Sequence, residues 1–137
     1  MSTVIDASIT IAALSPDERT DATERYFDII SADDVVVPAI WPLEIIQVFR
    51  KKVMRGAILP DTAADALNIA QFLPVRVSTL TAAIAFTDVS RLCRIHGLTP
   101  YDASYIDCAL RLERSLATLD RRMRAAAAAE GIELIPD

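Results

Sequence analysis

The segment Thr3-Val4-Ile5-Asp6 is a short apolar run that ends in an acid, and Leu116-Ala117-Thr118-Leu119-Asp120 shows the same pattern near the other end of the chain. Short runs that are nearly all apolar are typical of parallel strands covered on both faces. Further short runs predict strands at Val35–Val37, Val75–Val77 and Glu133–Ile135. The chain therefore has five strand candidates, and an aspartate directly follows two of them.

Helical patterns separate these strand candidates. They are expected at Asp17–Ser31, Trp41–Arg55, Asp61–Phe72, Thr81–His96, Pro100–Arg114 and Arg121–Glu130. Strands separated by helices need crossover connections, which make the strands parallel and place helices against the sheet. We therefore predict an α/β fold with a short central parallel sheet of about five strands, flanked by helices on both faces.

Length and composition predict one domain over residues 1–137. Apolar residues make up 53% of the chain and charged residues 24%, which is enough core material for a single domain. Nineteen acidic against fourteen basic residues give a formal net charge of −5. This charge argues against binding nucleic acid by bulk positive charge, but it permits binding through metal ions or a local basic patch.

Several other classes of protein are disfavoured. The apolar runs are too short to cross a bilayer, and the N-terminus lacks a signal peptide, so we expect a cytoplasmic protein with no membrane contact. Cys93, Cys108 and His96 are too few for the usual zinc sites. The glycines Gly56, Gly97 and Gly131 each follow a predicted helix, as left-handed caps do, which leaves none for a phosphate-binding loop.

Four acids are expected at one edge of the sheet. Asp6 and Asp120 follow strands, while Glu44 and Asp102 fall in the first turns of two predicted helices. Ligands of open parallel sheets bind beyond the C-terminal ends of the strands. Each acid alone has a structural explanation as a helix cap or a favourable charge at a helix start. Together, four carboxylates repel one another, and Mg²⁺ or Mn²⁺ are the natural cations to hold them.

Four motifs carry a family resemblance over essentially the whole chain. They are Val4-Ile5-Asp6-Ala7-Ser8, Pro42-Leu43-Glu44, Thr99-Pro100-Tyr101-Asp102-Ala103-Ser104-Tyr105 and Ala117-Thr118-Leu119-Asp120-Arg121-Arg122-Met123. In this order they resemble the motifs of PIN domains, in particular those of the VapC ribonuclease toxins of VapBC toxin–antitoxin pairs. The resemblance implies a single PIN domain with a PIN-like fold and an acidic quartet at Asp6, Glu44, Asp102 and Asp120.

The resemblance also implies an activity, namely Mg²⁺- or Mn²⁺-dependent hydrolysis of RNA phosphodiester bonds by an endoribonuclease. We expect Asp6, Asp102 and Asp120 to bind the metal and Glu44 to complete its shell or orient the attacking water. Thr118 and Ser8 match residues that orient the ligands. Asp107 lies five positions beyond Asp102, off the same helical face, and is interpreted as auxiliary or merely solvated.

Two basic clusters, Arg50–Arg55 and Arg121–Arg124, offer contacts for an RNA backbone. Arginines at a helix start oppose the helix dipole, so Arg121 and Arg122, directly after Asp120, are the candidate phosphate contacts. The first cluster is either a second patch or a solvated helix end. Acids elsewhere, such as Asp17 and Glu18, are interpreted as solvated.

The predicted helix that begins at Trp41 carries more apolar residues than one core face uses. Either it is a buried helix, or part of it forms a homodimer interface and a groove for a VapB-like antitoxin, as the resemblance implies.

Two alternatives differ in function. An Asp-dependent phosphotransfer protein is disfavoured because Asp6-Ala7-Ser8 lacks the second acid of an Asp-x-Asp motif, and because the only lysines, Lys51 and Lys52, are far from the last strand. A catalytically inactive PIN-fold binding module is disfavoured by the intact quartet.

Overall fold

The computed structural model describes residues 2–21, 24–26, 28 and 34–135, and a parallel sheet lies at its centre. Its strands are β1 (Ser2–Ile5), β2 (Asp34–Pro38), β3 (Val75–Ser78), β4 (Ser115–Ala117) and β5 (Leu134–Ile135). The strand order is β3-β2-β1-β4-β5, and all four pairings are parallel. The predicted five-stranded parallel sheet is confirmed, although β4 ends at Ala117 rather than at Leu119.

Helices occupy the connections between the strands. They are α1 (Ala7–Leu14), α2 (Trp41–Met54), α3 (Pro60–Gln71), α4 (Ala82–Ile84, a π-helical turn Ala85–Val89, and Ser90–His96), α5 (Pro100–Leu112) and α6 (Arg121–Ala129). The first three pack on one another, and the last three form a second packed group. Since the strand order reverses after β3, right-handed crossovers place these two groups on opposite faces of the sheet. Thr3, Val4 and Ile5 of β1 are accordingly all buried.

Helix α1 was not predicted. Seven of its eight residues are buried, so it lacks the alternation of apolar and polar faces by which an amphipathic helix is found in a sequence. The predicted helix Asp17–Ser31 is tested only in part, because residues 22, 23, 27 and 29–31 lie outside the described residues. Residues 16–18 form a turn, so that helix does not begin at Asp17.

The predicted glycine caps are confirmed, with φ values of 76°, 65° and 79° at Gly56, Gly97 and Gly131. In the described part of the chain, no helix combines the length and the hydropathy needed to span a membrane.

Of the basic residues Arg50, Lys51, Lys52 and Arg55, only Lys52 contradicts the interpretation as a solvated helix end. Lys52, in the last turn of α2, is only 2% exposed, and its Nζ lies 2.8 Å from Asp17 Oδ2 and 2.5 Å from Glu18 Oε2. Asp17 and Glu18 are exposed, as the solvated interpretation expects, but they also neutralise this buried ammonium group. These three residues are called the Lys52 cluster below.

Candidate active site

Asp6 and Asp120 lie at the same edge of the sheet because β1 and β4 are paired neighbours. The backbone N–H of Asp6 donates to the carbonyl of Ala117 at 3.0 Å, which continues the β1–β4 ladder by one residue. Both acids are also N-caps: Asp6 Oδ1 faces the Ser8 N–H at 3.4 Å, and Asp120 Oδ1 accepts from the Met123 N–H at 3.0 Å. Asp6 directly follows β1 and Asp120 lies three residues beyond the end of β4, and each carboxylate begins the next helix.

Glu44 and Asp102 approach this edge from helix starts. Thr99 caps α5 by accepting from the Asp102 N–H at 3.2 Å, which places Asp102 in the first turn. Glu44 lies in the first turn of α2, where Pro42 pre-sets the helical backbone. The charges of Asp6 and Asp120 act on Asp102, and those of Asp6 and Asp102 act on Glu44, so the four carboxylates share one region of this edge. They are called the acid cluster below.

Thr118 and Ser8 both hold Asp6. Ser8 Oγ donates to Asp6 Oδ2 at 2.7 Å, and Thr118 Oγ1 donates to the same oxygen at 2.9 Å. Thr118 is fully buried, and its Oγ1 also accepts from the Asp120 N–H at 3.1 Å. The hydroxyl of Thr118 thus connects the two acids that follow neighbouring strands.

Tyr105 is the residue of this site that sequence reasoning missed. Its hydroxyl donates to Glu44 Oε1 at 2.6 Å, and its side chain is fully buried. The residue was visible in the α5 motif, three positions after Asp102, where helix geometry places a side chain on the same face. Its partner, however, lies 61 residues away in the sequence.

Three members of the acid cluster are harder to ionise than ordinary carboxyls. Burial raises the pKa of Asp6, against the bonds from Ser8 and Thr118 that lower it, and the charge of Asp120 adds to the increase. Burial and then the charges of Asp6 and Asp102 raise the pKa of Glu44, while the bond from Tyr105 opposes them.

The pKa of Asp102 is likewise raised by burial first and by the charges of Asp6 and Asp120, and is lowered in part by Arg122. Among the described residues, no Lys or Arg forms an ion pair with any of the four acids. The cluster therefore concentrates negative charge without a protein cation bound to it.

The donor set fits a hydrated divalent cation. Only carboxylate and hydroxyl oxygens meet here, which are the ligands of Mg²⁺ and Mn²⁺. Within the described ranges, no three Asp, Glu, His or Cys side chains lie close enough to bind one ion together. Mg²⁺ commonly keeps several waters and uses one or two carboxylates, so the arrangement suits such an ion better than a closed protein cage.

The candidate phosphate contacts lie beside the cluster. Arg121 and Arg122 are exposed at the start of α6, directly after Asp120. Arg122 Nη2 donates to the Gly97 carbonyl at 2.8 Å and is close enough to Asp102 to lower its pKa. Arg122 is therefore already tied to the end of α4, whereas Arg121 is an exposed cation at the rim.

Asp107 is separate from the site. It is 3% exposed, so the solvated interpretation is wrong, and its Oδ2 accepts from Arg111 Nη2 at 3.1 Å on the same helix. Its predicted position off the face of Asp102 agrees with this pairing.

His96 and the cysteines have structural surroundings. The ring of His96 lies 2.8 Å from Glu130 Oε2, next to the Gly97 cap, as expected for a residue at a helix end. Cys108 is buried, which raises the pKa of its thiol to about 11 and makes it inert.

Comparisons with known proteins show which sequences and folds this chain is similar to. Ribonuclease VapC3 of Pyrobaculum aerophilum is 28% identical over 123 residues, which cover 90% of this chain and 92% of that protein. The crystal structure of PAE2754 from the same organism has a TM-score of 0.75 at 21% identity and covers 98% of this chain and 84% of that chain. The structure of VapBC2 from Rickettsia felis, bound to a promoter DNA fragment, has a TM-score of 0.70 at 12% identity and covers 98% and 97% of the two chains.

The family described as PIN domain matches residues 3–129, which include all four acids of the cluster. The chain belongs to the PIN domain family.

Proposed function

We propose that this protein is a metal-dependent endoribonuclease of the VapC type, the toxin of a type II toxin–antitoxin pair that acts on cytoplasmic RNA. The observation that carries the proposal is the acid cluster. Burying and crowding carboxylates raises their pKa and costs stability, and no described lysine or arginine is paired with them to offset that cost. The similarity to Ribonuclease VapC3 supports the assignment to RNA cleavage.

A divalent ion, when bound, lowers the pKa of its water and supplies hydroxide for attack on phosphorus. One or two of Asp6, Asp102 and Asp120 would bind that ion directly, and the remainder through water. Glu44 would complete the shell of the ion or orient the attacking water. Ser8 and Thr118 keep the carboxylate of Asp6 fixed through Oδ2. Oriented ligands of this kind bind metal more tightly than freely rotating ones.

The RNA backbone would contact the rim beside Asp120. The net charge of −5 means that the protein as a whole repels a polyanion. Arg121 and Arg122 offer local positive charge next to the proposed chemistry, at the N-terminal, positive end of the α6 dipole. A metal-loaded acid cluster and these two arginines would together offset the repulsion.

The partner surface is proposed on α2. Trp41, Ile45 and Phe49 are buried, whereas Leu43 and Ile46 are 61% and 48% exposed, so apolar side chains also lie on the outer face. A groove of about 470 Å³ between α2 and α3 includes Trp41, Ile46 and Leu67 in its lining. Such a groove fits an amphipathic helix of a VapB-like antitoxin. The similarity to the R. felis structure of VapBC2 supports a partner of this kind. We also propose that the protein forms a homodimer.

Cleavage of a labelled single-stranded RNA tests the proposed activity. We expect cleavage in Mg²⁺ or Mn²⁺, none in EDTA, and loss of cleavage in Asp102→Asn. Asp61→Asn is the matched control, since Asp61 is also an acid in the first turn of a helix but lies on exposed surface. RNA binding without cleavage in either metal would contradict the nuclease and favour an inactive PIN-fold binding module.

A further inference from the structure

The hydroxyl of Tyr105 occupies an unusual place. The whole residue is buried, yet the hydroxyl reaches the acid cluster and donates to Glu44 Oε1 at 2.6 Å. A phenol keeps its proton at neutral pH, so the hydroxyl is the donor of this bond and the carboxylate its acceptor. Helix α5 therefore contributes Asp102 to the acid cluster, and it also carries Tyr105, which donates a hydrogen bond to Glu44 of α2.

Glu44 needs such a donor. Its side chain is half-buried, and the charges of Asp6 and Asp102 repel it. Among the described residues, Tyr105 forms the only hydrogen bond to the Glu44 carboxylate. Without that bond the carboxylate would be free to rotate away from the other acids towards water, since it has several flexible torsions.

Core packing explains the ring of Tyr105 but not its hydroxyl. A phenylalanine would fill the same volume and avoid the cost of burying a polar group. The chain does bury a hydroxyl without a partner elsewhere: within the described part of the structure, Thr10 Oγ1 has no hydrogen bond. Burial of a hydroxyl does not by itself require a partner in this chain. The short bond from Tyr105 to Glu44 therefore needs an explanation other than burial.

We infer that Tyr105 is a positioning residue that holds Glu44 in the acid cluster and leaves its second oxygen for a hydrated metal ion or the attacking water. This inference rests on the proposed ribonuclease function. Tyr105 itself touches neither metal nor RNA, and it acts through Glu44. Partners of this kind change metal affinity or activity by about 10- to 100-fold when removed.

The test compares the Mn²⁺ dependence of RNA cleavage in the full chain and in Tyr105→Phe. We expect Tyr105→Phe to need at least about 10-fold more Mn²⁺ for half-maximal cleavage, because its Glu44 is no longer held. Tyr26→Phe is the matched control: Tyr26 is also buried, at 6% exposure, and plays no part in the acid cluster. Its Mn²⁺ dependence should equal that of the unmodified protein.

A double-mutant cycle identifies the route of the effect. If Tyr105 acts through Glu44, adding Tyr105→Phe to Glu44→Gln should cause no further loss, whereas independent effects would multiply. Full multiplication would overturn the inference, and so would an unchanged Mn²⁺ dependence in Tyr105→Phe while the unmodified protein cleaves normally. Unfolding of Tyr105→Phe at the assay temperature would assign the hydroxyl a structural role and overturn it as well. Absence of metal-dependent cleavage in the unmodified protein would instead defeat the proposed function, and the inference with it.

Discussion

The two ends of helix α2 carry charges that are handled in opposite ways. In its last turn, Lys52 is buried and paired with Asp17 and Glu18, so the buried cation is neutralised within the chain. In its first turn, Glu44 joins the acid cluster, where no described lysine or arginine forms an ion pair. The bond from Lys52 lowers the pKa of Asp17, whereas burial raises the pKa of Asp6.

Under the proposed function, this difference separates a structural cluster from a functional one. A cluster whose buried charge is paired within the chain needs no external ion. A cluster that leaves carboxylates unpaired costs stability in the free protein and becomes favourable only when a cation arrives. The following predictions treat the two clusters as a pair with opposite responses.

Removing both acids of the Lys52 cluster should have the largest effect on stability. Asp17→Asn combined with Glu18→Gln strands a buried ammonium group, and we expect a loss of about 3–5 kcal/mol in the free energy of unfolding. Asp61→Asn combined with Asp65→Asn, two exposed acids of α3, should stay within about 0.5 kcal/mol of the parent. Urea unfolding measures both.

Lys52→Met should cost less than that double variant. The side chains of Asp17 and Glu18 are 32% and 45% exposed, so water can solvate them once the lysine is gone. Equal losses of stability in Lys52→Met and in the double variant Asp17→Asn, Glu18→Gln would contradict the claim that the unpaired Lys52 ammonium group causes the larger loss.

Neutralising Asp6 should impair RNA cleavage without lowering the stability of the metal-free protein. We expect Asp6→Asn to lower RNA cleavage at least about 100-fold, since a metal site supplies several kcal/mol of transition-state stabilisation. The same variant should be no less stable than the parent in EDTA, because it removes a buried, repelled charge and keeps a capping oxygen. Cleavage assays and melting in EDTA check the two halves. A variant that cleaves normally, or that is strongly destabilised, would remove the contrast between the clusters.

The buried threonines Thr118 and Thr10 differ in whether their hydroxyl groups form hydrogen bonds. Thr118→Val should destabilise the protein by about 1–3 kcal/mol and weaken Mn²⁺ binding, because it removes the donor to Asp6 and the acceptor for the Asp120 N–H. Thr10→Val should be neutral or stabilising, since the hydroxyl of Thr10 has no partner among the described residues. Urea unfolding and calorimetric Mn²⁺ titration distinguish them, and matching results for the two variants would contradict this assignment.

The pH dependence of stability should have opposite signs at the two clusters. The raised pKa of Asp6 means that the folded protein takes up a proton before the unfolded chain does, so this group adds stability as pH falls through that pKa. The lowered pKa of Asp17 means that its contribution is present above its ordinary pKa and is lost as pH falls through the folded value.

In EDTA, Asp6→Asn should therefore be more stable than the parent at neutral pH, with the gap closing as pH falls towards the ordinary range of a carboxyl. Asp17→Asn should be less stable at neutral pH, with its gap closing only at lower pH. Unfolding measured across a pH series tests this, and gaps of the same sign would refute it.

The smallest effect is expected for RNA binding at Arg121, an exposed arginine directly after Asp120. Among the described residues it forms no ion pair with the acid cluster, and it does not belong to the Lys52 cluster. Arg121→Gln should reduce the slope of log affinity against log salt for single-stranded RNA by about 0.7, the value for one lost phosphate contact. Arg55→Gln, an exposed arginine at the far end of α2, should leave the slope unchanged. An unchanged slope in Arg121→Gln would place the RNA elsewhere.

The sequence was sufficient to predict the sheet and the positions of the four acids after strands or at helix starts. Both follow from local rules, because apolar runs predict parallel strands and the ends of strands and helices are marked by neighbouring residues. Helix α1 was missed because burial on all sides removes its periodicity. Lys52 and Tyr105 were missed because their roles depend on partners 35 and 61 residues away, a distance over which no spacing rule operates.

Melting of the metal-free protein against added Mn²⁺ tests the central claim most directly, namely that the acid cluster is completed by a divalent cation. We expect Mn²⁺ at 100 times its dissociation constant to add about 2.7 kcal/mol of stability to the unmodified protein. Asp102→Asn should lose most of that gain. A protein whose melting temperature is the same in saturating Mn²⁺ and in EDTA would contradict the account.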